Sequence, residues 1–293
     1  MVRSTSSKRR VAERFGQTKL YHGSSEAIRE AYIKDNLFKY WFVGFLEGKG
    51  SFIIDRNGNL EFKIVHRSTN ASVLFYIKKK LGFGVTRIQD KIKGNHCFKV
   101  NDEKGLLKLI LILNGNLLLH IKKEEFKLFI DGYNKKYGTD IVYLIITNQL
   151  PILSNRLHSN FVKEGAAWLS GFTDAVGSFS CTIKDKPAKS GLVKLSYTLR
   201  QRGNFDLMKH LAEILKGKIH EINGIYETTV HLTKLSKVIH YLSLYPLKTK
   251  KSIVFINIKK IYLLTKNKKS LTSEELKLLI RYNRNLNRLS YQV

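Results

Sequence analysis

Acidic residues, cysteine and long apolar runs are all scarce in this chain of 293 residues. The two cysteines, Cys97 and Cys181, do not form a pair with metal-ligand spacing, so neither a disulfide scaffold nor a zinc module is expected. The most apolar run, residues 106–119, is interrupted by Lys108 and by the polar residues 114–116, which leaves it too short and too polar to cross a bilayer. We therefore expect a soluble protein with no membrane partner.

The shortage of acids gives the chain a strongly positive charge. It has 52 Lys and Arg against 23 Asp and Glu, a formal net charge of +29. Such an excess is typical of proteins that bind phosphate polymers. Drift in an AT-rich genome would also enrich lysine, but drift alone would not be expected to keep the acids so scarce. The composition therefore predicts a nucleic acid as the partner.

The N-terminal segment has a composition of its own. The first 24 residues are rich in serine and contain six Lys and Arg against one acid, Glu13. An organellar transit peptide has this composition, and so does a basic arm that lies along nucleic acid. Both interpretations stay open at this point, and we expect the protein in an organelle, a mitochondrion or a chloroplast.

The hydrophobic pattern predicts two similar halves of mixed helix and strand. A helix over residues 38–48 gives way at Ser51 to a period of two, and Asn57-Gly58 is a strong signal for a tight hairpin. Asn70 is expected to cap a helix that ends near Leu81. The other predicted elements of this half are strands over 85–91 and 96–100 and helices over 103–113 and 122–135.

The second half repeats this order. It is predicted to contain helices over 166–175, 204–215, 235–242 and 248–263 and strands over 178–184, 193–201, 218–222 and 226–232. We expect an extra helix over 270–287, capped at Ser270 or Thr272. The predicted boundaries are a basic extension (1–35), a first repeat (36–136), a linker (137–163), a second repeat (164–265) and a helical tail (266–293).

Two stretches of the chain are copies of one motif. Residues 42–52 read Phe-Val-Gly-Phe-Leu-Glu-Gly-Lys-Gly-Ser-Phe, and residues 169–179 read Leu-Ser-Gly-Phe-Thr-Asp-Ala-Val-Gly-Ser-Phe. Gly44 with Gly48, and Gly171 with Ala175, place small residues four apart on one face of each helix, so that the two helices can approach closely. Both stretches resemble the signature of the LAGLIDADG homing endonucleases and group I intron maturases.

This resemblance implies an α+β fold of two pseudo-symmetric αββαββα repeats, a monomer that is internally a pseudo-dimer. In that family the motif helices form the interface, and two antiparallel four-stranded sheets make a saddle over the DNA major groove. Carboxylates at the eighth motif residue hold divalent metals that activate water for cleavage.

The chain departs from the family at those eighth residues, which are Lys49 and Val176. A lysine about 4 Å from a divalent ion opposes it by about 4 kcal/mol per unit charge pair at an effective dielectric near 20, and valine offers no ligand. We therefore expect no catalytic residues and no metal or other cofactor, with Mg²⁺ required only if nuclease activity survives. The motif acids Glu47 and Asp174 face elsewhere on their helices and are expected to be structural.

One face of each sheet is expected to be polar and basic, because alternate strand residues share a face. The candidate nucleic-acid-binding residues are Lys63, Arg67, Arg87, Gln89, Lys91, Lys99, Lys184, Lys194, Arg200, Lys218 and His231. Each of them could also be an ordinary solvated strand residue. The lysine clusters 78–80 and 122–123 lie on predicted helices, where a solvated helix face is expected rather than phosphate contact. The prediction therefore concerns the surface as a whole.

Two classes of function remain. The first is a binding protein that has kept the fold and lost cleavage, with RNA favoured over DNA: either a maturase-like protein that helps an intron fold, or a structural component of a ribonucleoprotein such as an organellar ribosome. The second is an enzyme, a site-specific DNA homing endonuclease that is or was active. Cleavage of a plasmid in the presence of divalent metal separates the two.

Overall fold

The protein is described from a computed structural model that covers residues 36–144, 167–183, 193–266, 268 and 270–290. The elements of the first half are α1 Asn36–Lys49, β1 Gly50–Ile54, β2 Leu60–Arg67, α2 Ala71–Leu81, β3 Val85–Asp90, β4 Asn95–Val100, α3 Glu103–Leu113 and α4 His120–Tyr137. Those of the second half are α5 Trp168–Val176, β5 Gly177–Ile183, β6 Val193–Arg202, α6 Phe205–Leu215, β7 Lys218–Ile222, β8 Ile225–His231, α7 Ser236–Leu244 and α8 Lys251–Thr265. A final helix, α9 Ser273–Ser290, packs on α8.

The two sheets have the same antiparallel topology. Their strand orders are β1-β2-β4-β3 and β5-β6-β8-β7, so each element of one half has a counterpart in the other. The predicted α+β class with two antiparallel four-stranded sheets is confirmed. Each half carries one further helix after its αββαββα run, namely α4 in the first and α8 in the second.

The hairpins form where the turn residues allow them. Gly58 has a φ of +75°, a conformation that favours glycine, and the carboxylate of Asp55 accepts hydrogen bonds from the backbone N–H groups of Asn57 and Asn59 at 2.9 and 2.7 Å. In the second half, β7 and β8 are joined at Asn223-Gly224, where both residues have positive φ, as in a two-residue hairpin turn. The strand pairing on either side of each turn is thereby fixed.

Alternation along the strands separates the core from an outer face. In β2, Leu60, Phe62 and Ile64 are buried under α2 and α4, while Lys63 and Arg67 point to the opposite side. The second sheet has the same arrangement beneath α6 and α8. Each sheet therefore has one face packed against helices and one outer face, and we call these two outer faces the open sheet faces.

Asn70 occupies the predicted cap position of α2, but its role differs from the prediction. Its side chain makes no capping hydrogen bond within α2, and its Oδ1 accepts instead from the backbone N–H of Lys250 at 3.1 Å, at the start of α8. Its counterpart Asn204 accepts from the N–H of His120 at 2.8 Å, at the start of α4. Each asparagine thus ties its helix to the other half, a contact that a local cap rule does not predict.

The tail helix α9 starts where the second of the two predicted caps lies. The hydroxyl of Thr272 accepts from the N–H of Glu275 at 3.2 Å, and the Glu275 carboxylate accepts from the N–H of Thr272 at 2.9 Å. This reciprocal pair is a capping box, and it satisfies two backbone donors at the helix start. The prediction of a helix near residues 270–287 is confirmed, with Thr272 as its cap.

Some predictions fall on residues outside the described ranges. These are the basic extension over 1–35, most of the linker over 137–163 and the candidate binding residue Lys184. Among the helices of the described residues, none combines the length and the apolar character that crossing a bilayer needs.

Candidate nucleic-acid interface

The motif helices α1 and α5 cross with their backbones in contact. A Cβ atom at Gly171 would lie 1.8 Å from the carbonyl oxygen of Trp41, and one at Gly44 would lie 2.0 Å from that of Trp168. At the other end of the crossing, Gly48 faces Ala175 and Val176. The four residues proposed for the helix interface, Gly44, Gly48, Gly171 and Ala175, therefore all lie at the crossing, where glycine is required at two of them.

The buried carboxylate of Glu47 joins the two halves. Its Oε1 accepts from the backbone N–H groups of Leu118 and Leu119 at 2.7 and 2.6 Å, just before α4. Its Oε2 accepts from the indole N–H of Trp168, on the opposite motif helix, at 2.5 Å. Burial raises the pKa of Glu47 to about 7, although the three donors act in the opposite direction.

Asp174 makes the corresponding contacts in the second half. Its Oδ2 accepts from the indole N–H of Trp41 at 2.9 Å and from the N–H of Lys248 at 2.7 Å. Its Oδ1 accepts from the hydroxyl of Thr249 at 2.5 Å and from the N–H of the same residue at 3.2 Å. Each motif acid therefore accepts a hydrogen bond from the tryptophan of the opposite helix, and its carboxylate oxygens are bonded to donors inside the protein. The expected structural role of Glu47 and Asp174 agrees with these contacts.

The ends of the two motif helices differ from each other. Lys49, the last residue of α1, is exposed, but partial burial of its ammonium and the nearby Arg67 lower its pKa. Val176, the last residue of α5, is half-buried and lies against Gly48. One end therefore presents a cation and the other an apolar side chain.

Three further basic side chains surround Lys49. They are His66 and Arg67 at the end of β2 and Lys251 in the first turn of α8, and together with Lys49 we call them the central cation cluster. The Lys251 ammonium donates to the carbonyl oxygens of Asp174 and Thr173 at 2.9 and 3.2 Å, at the end of α5. The pKa of Lys251 is lowered to about 8, mainly by burial and also by the charge of Lys49, while Asp174 acts in the opposite direction.

His66 is held neutral inside this cluster. Its ring is parallel to that of Phe45, with the ring centroids 6.2 Å apart, and its pKa is lowered to about 4, first by burial and then by the charges of Lys49, Lys251 and Arg67. The His66 ring is therefore harder to protonate in the folded protein than in the unfolded chain, where the pKa of histidine is 6.5. The stability that neutral His66 contributes is present above pH 6.5 and is lost as the pH falls towards 4.

We therefore expect a pH-dependent difference between the wild type and His66→Gln. The change introduces the residue type of Gln201, the corresponding position in β6, because Gly50 pairs with Ile64 in the first sheet and Gly177 with Leu199 in the second. As the pH is lowered from about 7.5 to about 4.5, the wild type should lose roughly 2 kcal/mol more unfolding free energy than the variant, because only the wild type has to protonate His66. Urea denaturation at the two pH values measures this difference. An unchanged difference between the two proteins at both pH values contradicts the assignment.

The open face of the first sheet holds the predicted candidates in register. Lys63 of β2 lies opposite Lys99 of β4, and Lys99 lies opposite Val85 of β3. Arg87, two residues after Val85, is on the same open face of the sheet. Lys63 and Lys99 both pair with Glu61, the first at 3.8 Å. Two of the predicted lysines thus have part of their charge compensated within the sheet, which sequence reasoning did not predict. Gln89 lies in the exposed part of β3, and Lys91 follows that strand in the turn to β4.

The open face of the second sheet is less charged and richer in hydroxyl groups. Ser180 contacts Ser196 at 2.6 Å and Thr198 contacts Thr229 at 3.2 Å, so these hydroxyls pair across the strands. The remaining candidates of this half are Lys194, Arg200, Lys218 and His231, which occupy the same face. Arg200 forms an ion pair with Glu227. The structure therefore places the described candidates other than Lys91 on the two open sheet faces, and acidic neighbours compensate the charges of Lys63, Lys99 and Arg200.

Sequence reasoning did not identify Lys251 as part of the centre. The backbone N–H groups of His120 and Lys250 donate to the equivalent asparagines, Asn204 and Asn70, which aligns these two residues in the repeat. Ile121 therefore stands at the position of Lys251 in the first half, so the repeat gives no signal for this lysine. Only the packing of α8 brings the Lys251 ammonium to the end of α5.

The residues at the helix ends do not fit a divalent metal. Lys49 would repel the ion, Val176 has no donor atom, and the oxygens of Glu47 and Asp174 are already bonded to protein donors. Within the described ranges, no three His, Cys, Asp or Glu side chains converge in a group that could hold a metal ion.

Both halves of the chain match one sequence family, and the fold is similar to that of a solved structure. The sequence model of the family described as LAGLIDADG endonuclease matches residues 42–133 and 169–262, one match in each half. A solved structure similar to this chain is that of the LAGLIDADG meganuclease I-AabMI bound to uncleaved DNA. The TM-score is 0.68 at 22% identity, and the likeness covers 85% of this chain and 99% of that one.

Curated relatives are named for introns. The chain is 46% identical over 272 residues to "Probable intron-encoded endonuclease 4" of Neurospora crassa, and the aligned region covers 92% of this chain and 48% of the relative. It is 26% identical to "Uncharacterized cox1 intron-2 37.2 kDa protein" of Schizosaccharomyces pombe, over 86% of this chain and 75% of that protein. It is 24% identical to "Intron-encoded RNA maturase bI4" of Saccharomyces cerevisiae, over 78% of this chain and 32% of that protein. The chain thus spans about half the length of the Neurospora relative.

Proposed function

Because the chain belongs to the LAGLIDADG endonuclease family, we propose that it is a nucleic-acid-binding protein that has lost metal-dependent cleavage and binds structured organellar RNA. The observation that carries the proposal is the pair of helix ends. The positions where the family holds its metal-binding carboxylates are occupied by Lys49 and Val176, while the crossing of α1 and α5 is intact. The architecture is kept and the cutting residues are replaced.

Loss of cleavage follows from the chemistry of the replacements. Cleavage of a phosphodiester with metal ions requires that both the attacking water and the leaving oxygen are stabilised. Lys49 can stabilise negative charge but cannot bind a metal or accept a proton from water while it is protonated, and Val176 can do neither. Glu47 and Asp174 cannot replace the lost acids, because moving either side chain would leave buried N–H groups without an acceptor.

RNA is the preferred ligand on three grounds. A protein that cannot cut its target keeps a selected role only through binding, and structured RNA is recognised by shape and backbone, which suits a rigid charged surface. One relative is named an RNA maturase. The basic composition of residues 1–35 fits an arm along nucleic acid as well as a transit peptide.

The organellar location is supported by a relative that is named for a cox1 intron.

The second candidate function is site-specific cleavage of DNA. It is favoured by the name of the relative with 46% identity, an intron-encoded endonuclease, and by the DNA-bound state of the structural neighbour. This candidate requires metal-binding residues that lie outside the described part of the chain or in a longer protein. A cleavage assay therefore separates the two candidates.

We expect the purified full chain to leave plasmid DNA that carries the host-gene sequence intact when Mg²⁺ or Mn²⁺ is present. The double variant Lys49→Glu with Val176→Glu restores carboxylates to both helix ends and is expected to gain metal-dependent cleavage. Lys79→Glu, on the exposed side of α2, adds an acid away from the centre and should remain inactive. Metal-dependent cutting by the wild-type chain at its own site overturns the proposal.

The ligand is identified by crosslinking the protein in its native compartment and sequencing the attached nucleic acid. We expect organellar RNA to be recovered. Recovery of intron sequences favours the maturase-like role, and sedimentation with ribosomal particles favours the structural role in a ribonucleoprotein. Recovery of organellar DNA alone overturns the preference for RNA.

A further inference from the structure

The central cation cluster brings like charges together from three separate elements. Lys49 ends α1 next to Gly50, which pairs with Ile64 of β2, the strand that Arg67 ends. Lys251 donates to the carbonyls at the end of α5, whose Val176 lies against Gly48. After burial, the charge of Arg67 lowers the pKa of Lys49, and the three cations lower the pKa of His66. Among the described residues, no carboxylate contributes to the shifts of Lys49 or His66. Asp174 does act on Lys251, but all four of its accepted hydrogen bonds come from other groups.

Such a cluster is unfavourable in the free protein. Like charges in a partly buried site repel each other and are only weakly screened by salt. Nothing in the geometry of the crossing requires them, since the two halves are already joined by the glycine contacts and by the exchanged tryptophans. An anionic ligand would relieve the repulsion, whereas the acids on the open face pair with other cations.

The donors of the cluster are positioned for a phosphate group. Lys251 uses two of its three N–H donors on the carbonyls of Asp174 and Thr173, which fixes the ammonium and leaves one N–H for a ligand. Arg67 is exposed at the end of β2 and has a planar fork of donors that suits phosphate oxygens. Lys49 is exposed beside it and adds a compact charge.

We propose that Lys49, Arg67 and Lys251 form a site for one backbone phosphate of the bound nucleic acid, with protein cations in the place where the family holds a divalent metal. This inference deepens the proposed function, on which it rests for the identity of the polymer. The phosphate site itself is independent of whether that polymer is RNA or DNA.

The site takes one phosphate and not two, because the pseudo-symmetry is broken at this point. At the end of the second motif helix, Val176 replaces Lys49, and Gln201 in β6 replaces His66. Arg202 is retained as the counterpart of Arg67, but no lysine ends the helix beside it. A two-fold symmetric duplex would present equivalent phosphates to both ends, so the one-sided site fits a backbone without two-fold symmetry, as in a folded RNA.

The first test uses inorganic pyrophosphate as the probe, in EDTA and at constant ionic strength adjusted with sodium chloride. We expect a saturable rise in the Tm of the full chain. Lys49→Met and Arg67→Gln should weaken pyrophosphate binding by about tenfold or more, the loss expected for one charged hydrogen bond. Lys79→Met, on the exposed side of α2, is the matched control and should bind as the wild type does.

His66 provides a second measurement that a general charge effect does not reproduce. An anion in the cluster offsets the charges of Lys49, Arg67 and Lys251, so bound pyrophosphate should raise the pKa of the His66 ring, followed by NMR titration. The exposed His220 in β7 is the internal control and should not move. Equal affinities for Lys49→Met, Arg67→Gln and Lys79→Met, or a static His66 resonance at saturation, overturn the site.

The second test uses a structured RNA recovered by the crosslinking experiment. Lys49→Met should lower the affinity by about tenfold and reduce the slope of log Kobs against log salt by about one, as expected for one lost phosphate contact. Pyrophosphate binding at Lys49 without binding of any nucleic acid supports the site and contradicts the proposed function. RNA binding that is unchanged in Lys49→Met supports the function and overturns the site.

Discussion

Gly171→Ala is expected to prevent the two halves from packing in their native arrangement. The added methyl would lie 1.8 Å from the carbonyl oxygen of Trp41, and the nearby atoms, Trp41 C and Phe45 N, also belong to backbone. A side chain could rotate away from such an overlap, but two helix backbones can only separate. Separation would lengthen the hydrogen bonds from Trp41 to Asp174 and from Trp168 to Glu47, so we expect a loss of at least about 3 kcal/mol of unfolding free energy.

Gly132→Ala is the matched control for this change. Gly132 also lies inside a helix, α4, but its added methyl would meet the flexible ends of Ile54 and Leu60 at 3.1 and 3.2 Å. Alanine favours the helix by about 1 kcal/mol over glycine, so the change in stability should stay within about that amount of wild type. Urea unfolding measures both variants, and a Gly171→Ala protein as stable as Gly132→Ala contradicts the close crossing.

Asp174→Ala is expected to have an effect of similar size for a different reason. It leaves the indole N–H of Trp41, the backbone N–H groups of Lys248 and Thr249 and the hydroxyl of Thr249 without their acceptor. Each buried donor that loses its partner costs about 1–3 kcal/mol, and water entering the cavity recovers part of this. We expect a loss of about 4 kcal/mol or more, together with a change in the fluorescence of Trp41.

Asp131→Ala, on the exposed side of α4, provides the control for removing a carboxylate. Its effect should stay within about 0.5 kcal/mol, as is usual for surface substitutions. Asp174→Asn should fall between the two, because its amide oxygen can serve only one pair of donors while its NH₂ group faces the other pair. If Asp174→Ala is no less stable than Asp131→Ala, Asp174 does not join the halves.

Most of the fold could be predicted from local pattern. The hairpin at Asn57-Gly58, the alternation of Leu60, Phe62 and Ile64, and the cap at Thr272 all depend on residues within a few positions of one another. Turn chemistry and the period of the apolar residues are sufficient for such features. The repeat of the motif then indicated that the second half has the same order of elements.

The polar contacts between the halves could not be predicted in this way. Asn70 is a reasonable helix cap by local rules, but its oxygen accepts from Lys250 of the other half. Lys63 and Lys99 are reasonable binding residues, but the strand register places Glu61 beside both of them. Local rules fail at these positions because each side chain has several possible partners, and only the packing decides which one is near.

The sequence by itself determined the two halves, the small residues that join them and the loss of carboxylates from the ends of both motif helices, because these are properties of residue type and spacing. Only the tertiary structure decided that Trp41 and Trp168 donate to the acids of the opposite helices. It also decided that Lys251, which donates to the end of α5, lies near Lys49, His66 and Arg67 of the first half. The reason is that these groups are distant in the chain and meet only when α1 and α5 cross and α4 and α8 pack beside them. The motif is copied in both halves, but the charge at its centre is one-sided.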